Sequence, residues 1–229
     1  MTAGIPPARY RERIAELQAL AAESGLAAVL VGVGADLRYL AGYAAMPLER
    51  LTMLVVPATG PSTLVAPRLE AAPARGCPAA AAGALDVVIW DETDDPHALV
   101  ARLVRRDVGP PSDLPLNVAV SDGLQARHLL PLRERLGAAR LGLASSVLRQ
   151  LRMRKDADEI ELLGMAARAA DRVVAAIATG SLVGRTEAEV AREVRERLVD
   201  EGHEAATFAI VASGPNSASP HHEPGGRVI

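Results

Sequence analysis

Six short apolar runs, each set between segments of helical periodicity, constrain this chain more than any other feature. They are LAAVLV (residues 26–31), LTMLVVP (51–57), STLVAP (62–67), LDVVIW (85–90), LNVAVS (116–121) and ARLGLA (139–144). Runs this short, bounded by Gly, Pro or charge, read as strands buried on both faces. Helices fall between them. After Pro7, the residues Tyr10, Ile14, Leu17 and Ala21 recur at helical spacing up to a stop at Ser24-Gly25. HALVARLVRR (97–106) sets Leu99, Val100, Leu103 and Val104 on one side, and GLQARHLLPLRERL (123–136) is expected to bend or restart at Pro131. Strands alternating with helices predict an α/β domain whose sheet is covered by helices. The ATGP link between the second and third runs reads as a hairpin, so the sheet is expected to be mixed.

The character changes near Arg149, and a boundary is expected within residues 145–156. Asp156 with Glu159, and Thr186 with Glu189, are capping-box pairs that should open two long helices. Ile160, Leu163, Ala167, Ala170, Val174 and Ile177 mark one apolar face of the first, ended by Gly180. Val190, Val194 and Leu198 mark the expected buried stripe of the second. ATFAIVASG (206–214) reads as a strand, and in the intact fold Thr207 to Val211 should be internal to a sheet. It runs into the loop SGPNSASPHHEP (213–224).

Composition narrows the function classes. Hydrophobic residues make up 49% but aromatics only 2%, so the core must be built from Ala, Val, Leu and Ile. With 25 basic against 28 acidic residues the net charge is −3, too balanced to steer the chain onto nucleic acid or an anionic membrane. Cys77 stands alone, which excludes an intrachain disulfide and a thiolate-rich metal site. The opening MTAGIPPARYRERIAEL has no apolar leader segment, and no apolar stretch reaches membrane-spanning length, so a cytoplasmic setting is expected.

Several motifs invite chemistry and are better read as structure. VGVGAD (31–36) offers Gly32 and Gly34, but Leu37 stands where a dinucleotide loop needs its third glycine; a tight strand-to-helix turn fits better. DETDDPH (91–97) lacks the ligand pattern of a calcium loop and reads as a polar turn with a helix cap before Pro96. His97, His128 and His203 are scattered and are expected at the surface or at helix ends. Cys77 has no base near it in sequence. His221 and His222 are adjacent, so on an extended segment they face opposite ways and do not form a two-ligand metal site.

Three segments in order resemble one family. LRMRKDADEIELLGMAARAADRVV, GRTEAEVAREV and FAIVASGPNSASPHHEP are similar to the linker and first half of the catalytic domain of Xaa-Pro aminopeptidases, prolidases and creatinases. RIAELQALAAESGLAAVLVGVGADLRYLAGY and ERLTMLVVP resemble the creatinase-type N-terminal domain. Where such proteins often read Asn-x-x-Tyr-Leu-Thr-Gly-Phe, this chain has Asp36-Leu37-Arg38-Tyr39-Leu40-Ala41-Gly42-Tyr43, and no role is carried over there.

The resemblance implies a creatinase-like N-terminal domain over 1–150, with a mixed sheet flanked by helices. The first part of a pita-bread α+β catalytic domain should follow over 151–229. It implies cleavage of the bond before proline in peptides, with His221 as the catalytic and substrate-binding residue and His222 turned away. Intact relatives use two divalent ions (Mn, Co or Zn) held by two Asp, one His and two Glu. By the resemblance those ligands all lie beyond Ile229, so this chain is expected to bind no metal and to be inactive alone. Exposed apolar stripes on the two long helices are expected to be covered by a second copy, giving a homo-oligomer. A creatinase-like amidinohydrolase and a non-catalytic peptide-binding module are the rival readings.

Overall fold

A computed structural model describes residues 4–106 and 115–229. Met1–Ala3, the first residues of the opening segment, lie outside the described residues. The chain divides into two compact units, Ile5–Lys155 and Asp156–Ile229 with the first few residues.

The first unit opens with α1 (Pro7–Glu23), β1 (Ala28–Gly32), α2 (Ala35–Ala41), β2 (Met53–Pro57) and β3 (Thr63–Pro67). The short helices α3 (Ala71–Arg75) and α4 (Pro78–Ala81) follow, then β4 (Asp86–Trp90) and α5 (Pro96–Arg106). It closes with β5 (Asn117–Val120), α6 (Ala126–Leu136), β6 (Arg140–Leu143) and α7 (Ser145–Met153). The strands form one sheet in the order β4-β3-β2-β1-β5-β6. The pairs β1–β2 and β2–β3 are antiparallel and the other three are parallel, so the sheet is mixed.

Alternation along the strands builds two cores. Leu30 lies opposite Val55 on β2 and Val120 on β5, and all three join Val100, Val104, Leu132 and Leu136 from α5 and α6. Val29, Val31, Leu54 and Val56 turn to the other face. There they meet Ile14 and Leu17 of α1, Leu37 and Leu40 of α2, and Val147 and Leu148 of α7. A sheet buried on both faces needs apolar residues at every position, which is why its strands read as continuous runs. Trp90, a rare large side chain, sits in the first of these cores with its indole N–H donated to the Leu51 carbonyl at 2.9 Å.

Three details of the first unit refine the expectations. Pro131 neither breaks nor restarts its helix: α6 runs unbroken through it. The small-residue stretch AAPARGCPAAAAGA (71–84), whose composition predicts a helix end and a loop, holds two short helices. His128 stands in the first turn of α6, a helix end as expected, yet it is only 8% exposed, and its ring centroid lies 5.7 Å from that of His97 on α5. Nε2 of His97 and Nδ1 of His128 are buried with no hydrogen-bond partner among the described residues.

Burial pushes both imidazoles below their ordinary pKa. Arg135 adds to this for His97 against the opposing pull of Asp95, and His97 and Arg127 add to it for His128. A group that stays neutral in the fold but takes a proton when unfolded supports stability above its unfolded pKa. That support drains away as pH falls from about 6.5 through the lower folded value. The urea midpoint of the chain is therefore expected to drop from pH 7.5 to pH 5.5, and to drop less in His97→Gln/His128→Leu. An equal drop in both proteins would remove the pair as its cause.

In the second unit, α8 (Ala157–Ala178) packs on α9 (Glu187–Asp200), and both capping boxes form. Most of the apolar face read on α8 is exposed. Ala169 and Val173 are buried, while Ile160, Leu163 and Val174 are 61%, 57% and 67% exposed. This helix is apolar on more than one side. On α9, Val190 is buried as expected. The expected strand at Thr207 to Val211 is not formed: Ala209 is buried, but Phe208 is 72% exposed. A strand exists only through a partner's hydrogen bonds, and none of the described residues pairs with this segment. No helix among the described residues is long and apolar enough to cross a membrane.

Candidate functional site

Thr186 caps α9, its hydroxyl accepting from Glu189 N–H at 3.2 Å, while the Glu189 carboxylate accepts from Thr186 N–H at 2.8 Å. This cap puts Glu187 in the first turn, where the helix dipole favours an anion. Its backbone is pinned as well, with Glu187 N–H donating to Arg227 O at 2.9 Å and Ala188 N–H to Gly225 O at 3.0 Å. The Glu187 side chain is fully buried.

Its carboxylate gathers the His-bearing loop. Ser213 donates its backbone N–H at 2.7 Å and its hydroxyl at 2.9 Å. Asn216 Nδ2 lies 3.0 Å from both oxygens. His222 Nε2 lies 2.8 Å from Oε2. Burial pushes the Glu187 carboxyl up. The hydrogen bonds from His222, Asn216 and Ser213 outweigh it and bring the pKa down to about 2. The carboxylate is thus ionised at neutral pH, and its support for the fold is present above the ordinary value of 4.5 and lost as pH falls toward 2.

The loop itself is tightly folded. A 3-10 turn spans Gly214–Ala218, and Asn216 N–H and Ser219 N–H close turns onto Ser213 O and Asn216 O. Gly214 has φ 51°, a backbone conformation that favours glycine, and the Arg227 guanidinium, the end of a flexible side chain, lies 2.6 Å from where a Cβ would be. The two histidines part company on a turn, not on the extended segment assumed from sequence: His222 is drawn in onto Glu187, and His221 is exposed.

The other candidates fall where the sequence put them, or become inert. Asp95 caps α5 by accepting from Ala98 N–H at 2.9 Å, and Asp91 pairs with Arg68, so DETDDPH is a turn. Gly32 ends β1 and α2 begins at Ala35, which makes VGVGAD a tight strand-to-helix turn. Cys77 is buried and burial pushes its thiol up, away from the reactive thiolate. No group of three or more His, Cys, Asp or Glu among the described residues could hold a metal ion. Sequence reasoning missed Glu187.

Two family models match the chain: the creatinase/prolidase N-terminal domain over residues 13–154 and metallopeptidase family M24 over residues 161–229. The probable dipeptidase PepE of Mycobacterium tuberculosis is 43% identical over 213 residues, covering 93% of this chain and 54% of the relative. The putative dipeptidase YkvY of Bacillus subtilis is 26% identical over 215 residues, with 93% of this chain and 57% of the relative covered. Among solved structures, dipeptidase PepE from Mycobacterium ulcerans is similar with a TM-score of 0.86 at 43% identity, over 97% of this chain and 58% of that one. A prolidase from Thermococcus sibiricus is similar with a TM-score of 0.80 at 29% identity, over 96% and 58%. The chain thus spans little more than half the length of these relatives. With its N-terminal domain model alone covering more than half of the residues, the chain belongs to the creatinase/prolidase family.

Proposed function

We propose that this chain is part of an Xaa-Pro dipeptidase or aminopeptidase, a metallohydrolase that cleaves the peptide bond before proline. Residues 1–150 serve as its N-terminal domain and residues 151–229 as the start of its catalytic domain. The observation that carries the reading is the loop at 213–222, folded onto one buried carboxylate so that His222 is held and His221 is left exposed. Relatives described as dipeptidases and prolidases support it.

In this reading His221 stands beside the scissile carbonyl. An imidazole there can donate a hydrogen bond to oxygen as negative charge develops, or carry a proton near neutral pH. Divalent ions in this family of metallopeptidases supply an activated water and a Lewis acid. The described residues do not fit such ions, because they bring no suitable group of ligands together. The chain's own contribution is His221, the loop that presents it and the N-terminal domain.

The test is direct. The 229-residue chain, dialysed after exposure to Mn²⁺, is expected to retain less than stoichiometric metal and to release no proline from Gly-Pro or Ala-Pro. The complete enzyme is expected to retain stoichiometric metal and to release proline from both substrates. Hydrolysis by the chain alone that survives repurification and is abolished by a chelator would overturn the division of labour. A complete enzyme that loads metal yet leaves Xaa-Pro peptides intact would overturn the activity.

A further inference from the structure

We propose that Glu187 is a positioning residue for His221, acting through His222, Asn216 and Ser213 to aim an imidazole that it never touches. This rests on the reading of His221 given above. One fully buried carboxylate fastens the loop at three places, 26, 29 and 35 residues downstream. The last fastening is the residue next to His221. His221 sits in a turn closed by His222 N–H donating to Ser219 O at 3.3 Å, so holding His222 inward also holds the turn that carries the exposed His221. Gly214 and the Arg227 guanidinium close the near end of the loop, and the backbone bonds of Glu187 and Ala188 to Arg227 and Gly225 close the far end. His221 therefore sits on a segment tied down on both sides.

The chemistry of the knot requires a carboxylate. Every group around it is a donor: an amide N–H, a hydroxyl, a side-chain NH₂ and an imidazole nitrogen. A carboxylate only accepts, so it can satisfy all of them. An amide in its place offers one oxygen and turns an NH₂ toward the donors of Asn216 and His222. The arrangement also sets the tautomer of His222, whose proton must lie on Nε2 to be donated to Glu187.

Glu187→Gln, which keeps the shape of the side chain, is the test, with Glu187→Asp as the charge-keeping companion. In the complete enzyme, kcat per metal-loaded folded molecule is expected to fall about 10²-fold in Glu187→Gln with KM little changed, the scale for misplacing a reacting group by about an ångström. Glu187→Asp, which keeps the acceptor but draws it back by one methylene, should lie between. In the 229-residue chain two readouts are independent of activity. The Ser213 amide should exchange faster with solvent in Glu187→Gln, and the nitrogen chemical shifts of His222 should move from the Nε2–H to the Nδ1–H tautomer. A Glu187→Gln enzyme that melts earlier but keeps wild-type kcat would reduce Glu187 to a stabilising residue and overturn the proposal. So would unchanged Ser213 exchange together with an unchanged His222 tautomer. If the wild-type enzyme cleaves no Xaa-Pro peptide, the functional reading falls, and these two readouts still decide whether Glu187 orders the loop.

Discussion

In the complete enzyme, His221→Ala is expected to lower kcat for Xaa-Pro hydrolysis roughly 10²–10³-fold, the loss that follows removal of one oxyanion donor or proton relay. Metal content and the Ser213 amide exchange should stay at wild-type values, because the exposed His221 imidazole is not part of the Glu187 knot. His222→Ala should behave differently. It removes a donor from Glu187, so the loop loosens and Ser213 exchanges faster, and any loss of turnover comes with that loosening. The two adjacent histidines are therefore separable by one physical measurement as well as by rate. A third variant divides the two roles open to His221. Glutamine retains an N–H donor but cannot carry a proton, so His221→Gln should keep much of the rate if the imidazole only stabilises the oxyanion. It should match His221→Ala if the imidazole relays a proton. A His221→Ala enzyme with undiminished kcat would remove the residue from the chemistry altogether.

How much of this could be read from sequence depended on how far apart the cooperating residues lie. The strands of the first unit were legible because both faces of the sheet are buried, which leaves runs such as LVVP and VVIW without a polar position. The starts of α8 and α9 were legible because a capping box is complete within four residues. The buried side of α8 was not, since Ile160, Leu163 and Val174 form as convincing a stripe as the Ala169 and Val173 side that is used. The segment 206–214 has the composition of a strand, but pairing is a property of the neighbour and is invisible in the segment itself. Glu187 was hidden for a related reason. An acid in the first turn of a helix is unremarked, being favourable there in any exposed helix. Its partners Ser213, Asn216 and His222 sit in a loop whose Gly, Pro and Ser content signals only a turn. The one available clue was that this loop offers several donors and the chain nearby has a single helix start to receive them.

Gly42→Ala is expected to be among the most damaging single-methyl additions to the first unit. Gly42 ends α2 in the left-handed region, with φ 69° and ψ 12°, and its N–H donates to Arg38 O at 2.9 Å. It stands in the stretch Tyr39-Leu40-Ala41-Gly42, where the family often has Tyr-Leu-Thr-Gly, and the packing gives a reason for the glycine. A Cβ at this position would lie 2.7 Å from Cγ and 2.8 Å from Cδ of Pro78, and 2.9 Å from the Tyr10 hydroxyl. Neither neighbour can easily yield. Pro78 is a rigid ring at the start of α4, and Tyr10 is buried on α1 within the same core as Leu37 and Leu40. The left-handed conformation costs a residue with a Cβ about 1–2 kcal/mol. Forcing an extra carbon into a filled space adds about 1–3 kcal/mol. Gly25→Ala separates the two contributions, since Gly25 has a similar φ of 66° but open space where its Cβ would go. Gly25→Ala should show the conformational cost alone in urea unfolding, and Gly42→Ala that cost plus the clash. Adding Pro78→Ala to Gly42→Ala removes the two closest atoms and should recover part of the difference, a coupling expected only of residues in contact. Equal losses from Gly42→Ala and Gly25→Ala would mean that α4 and α1 move aside freely, and that the glycine serves only to end the helix.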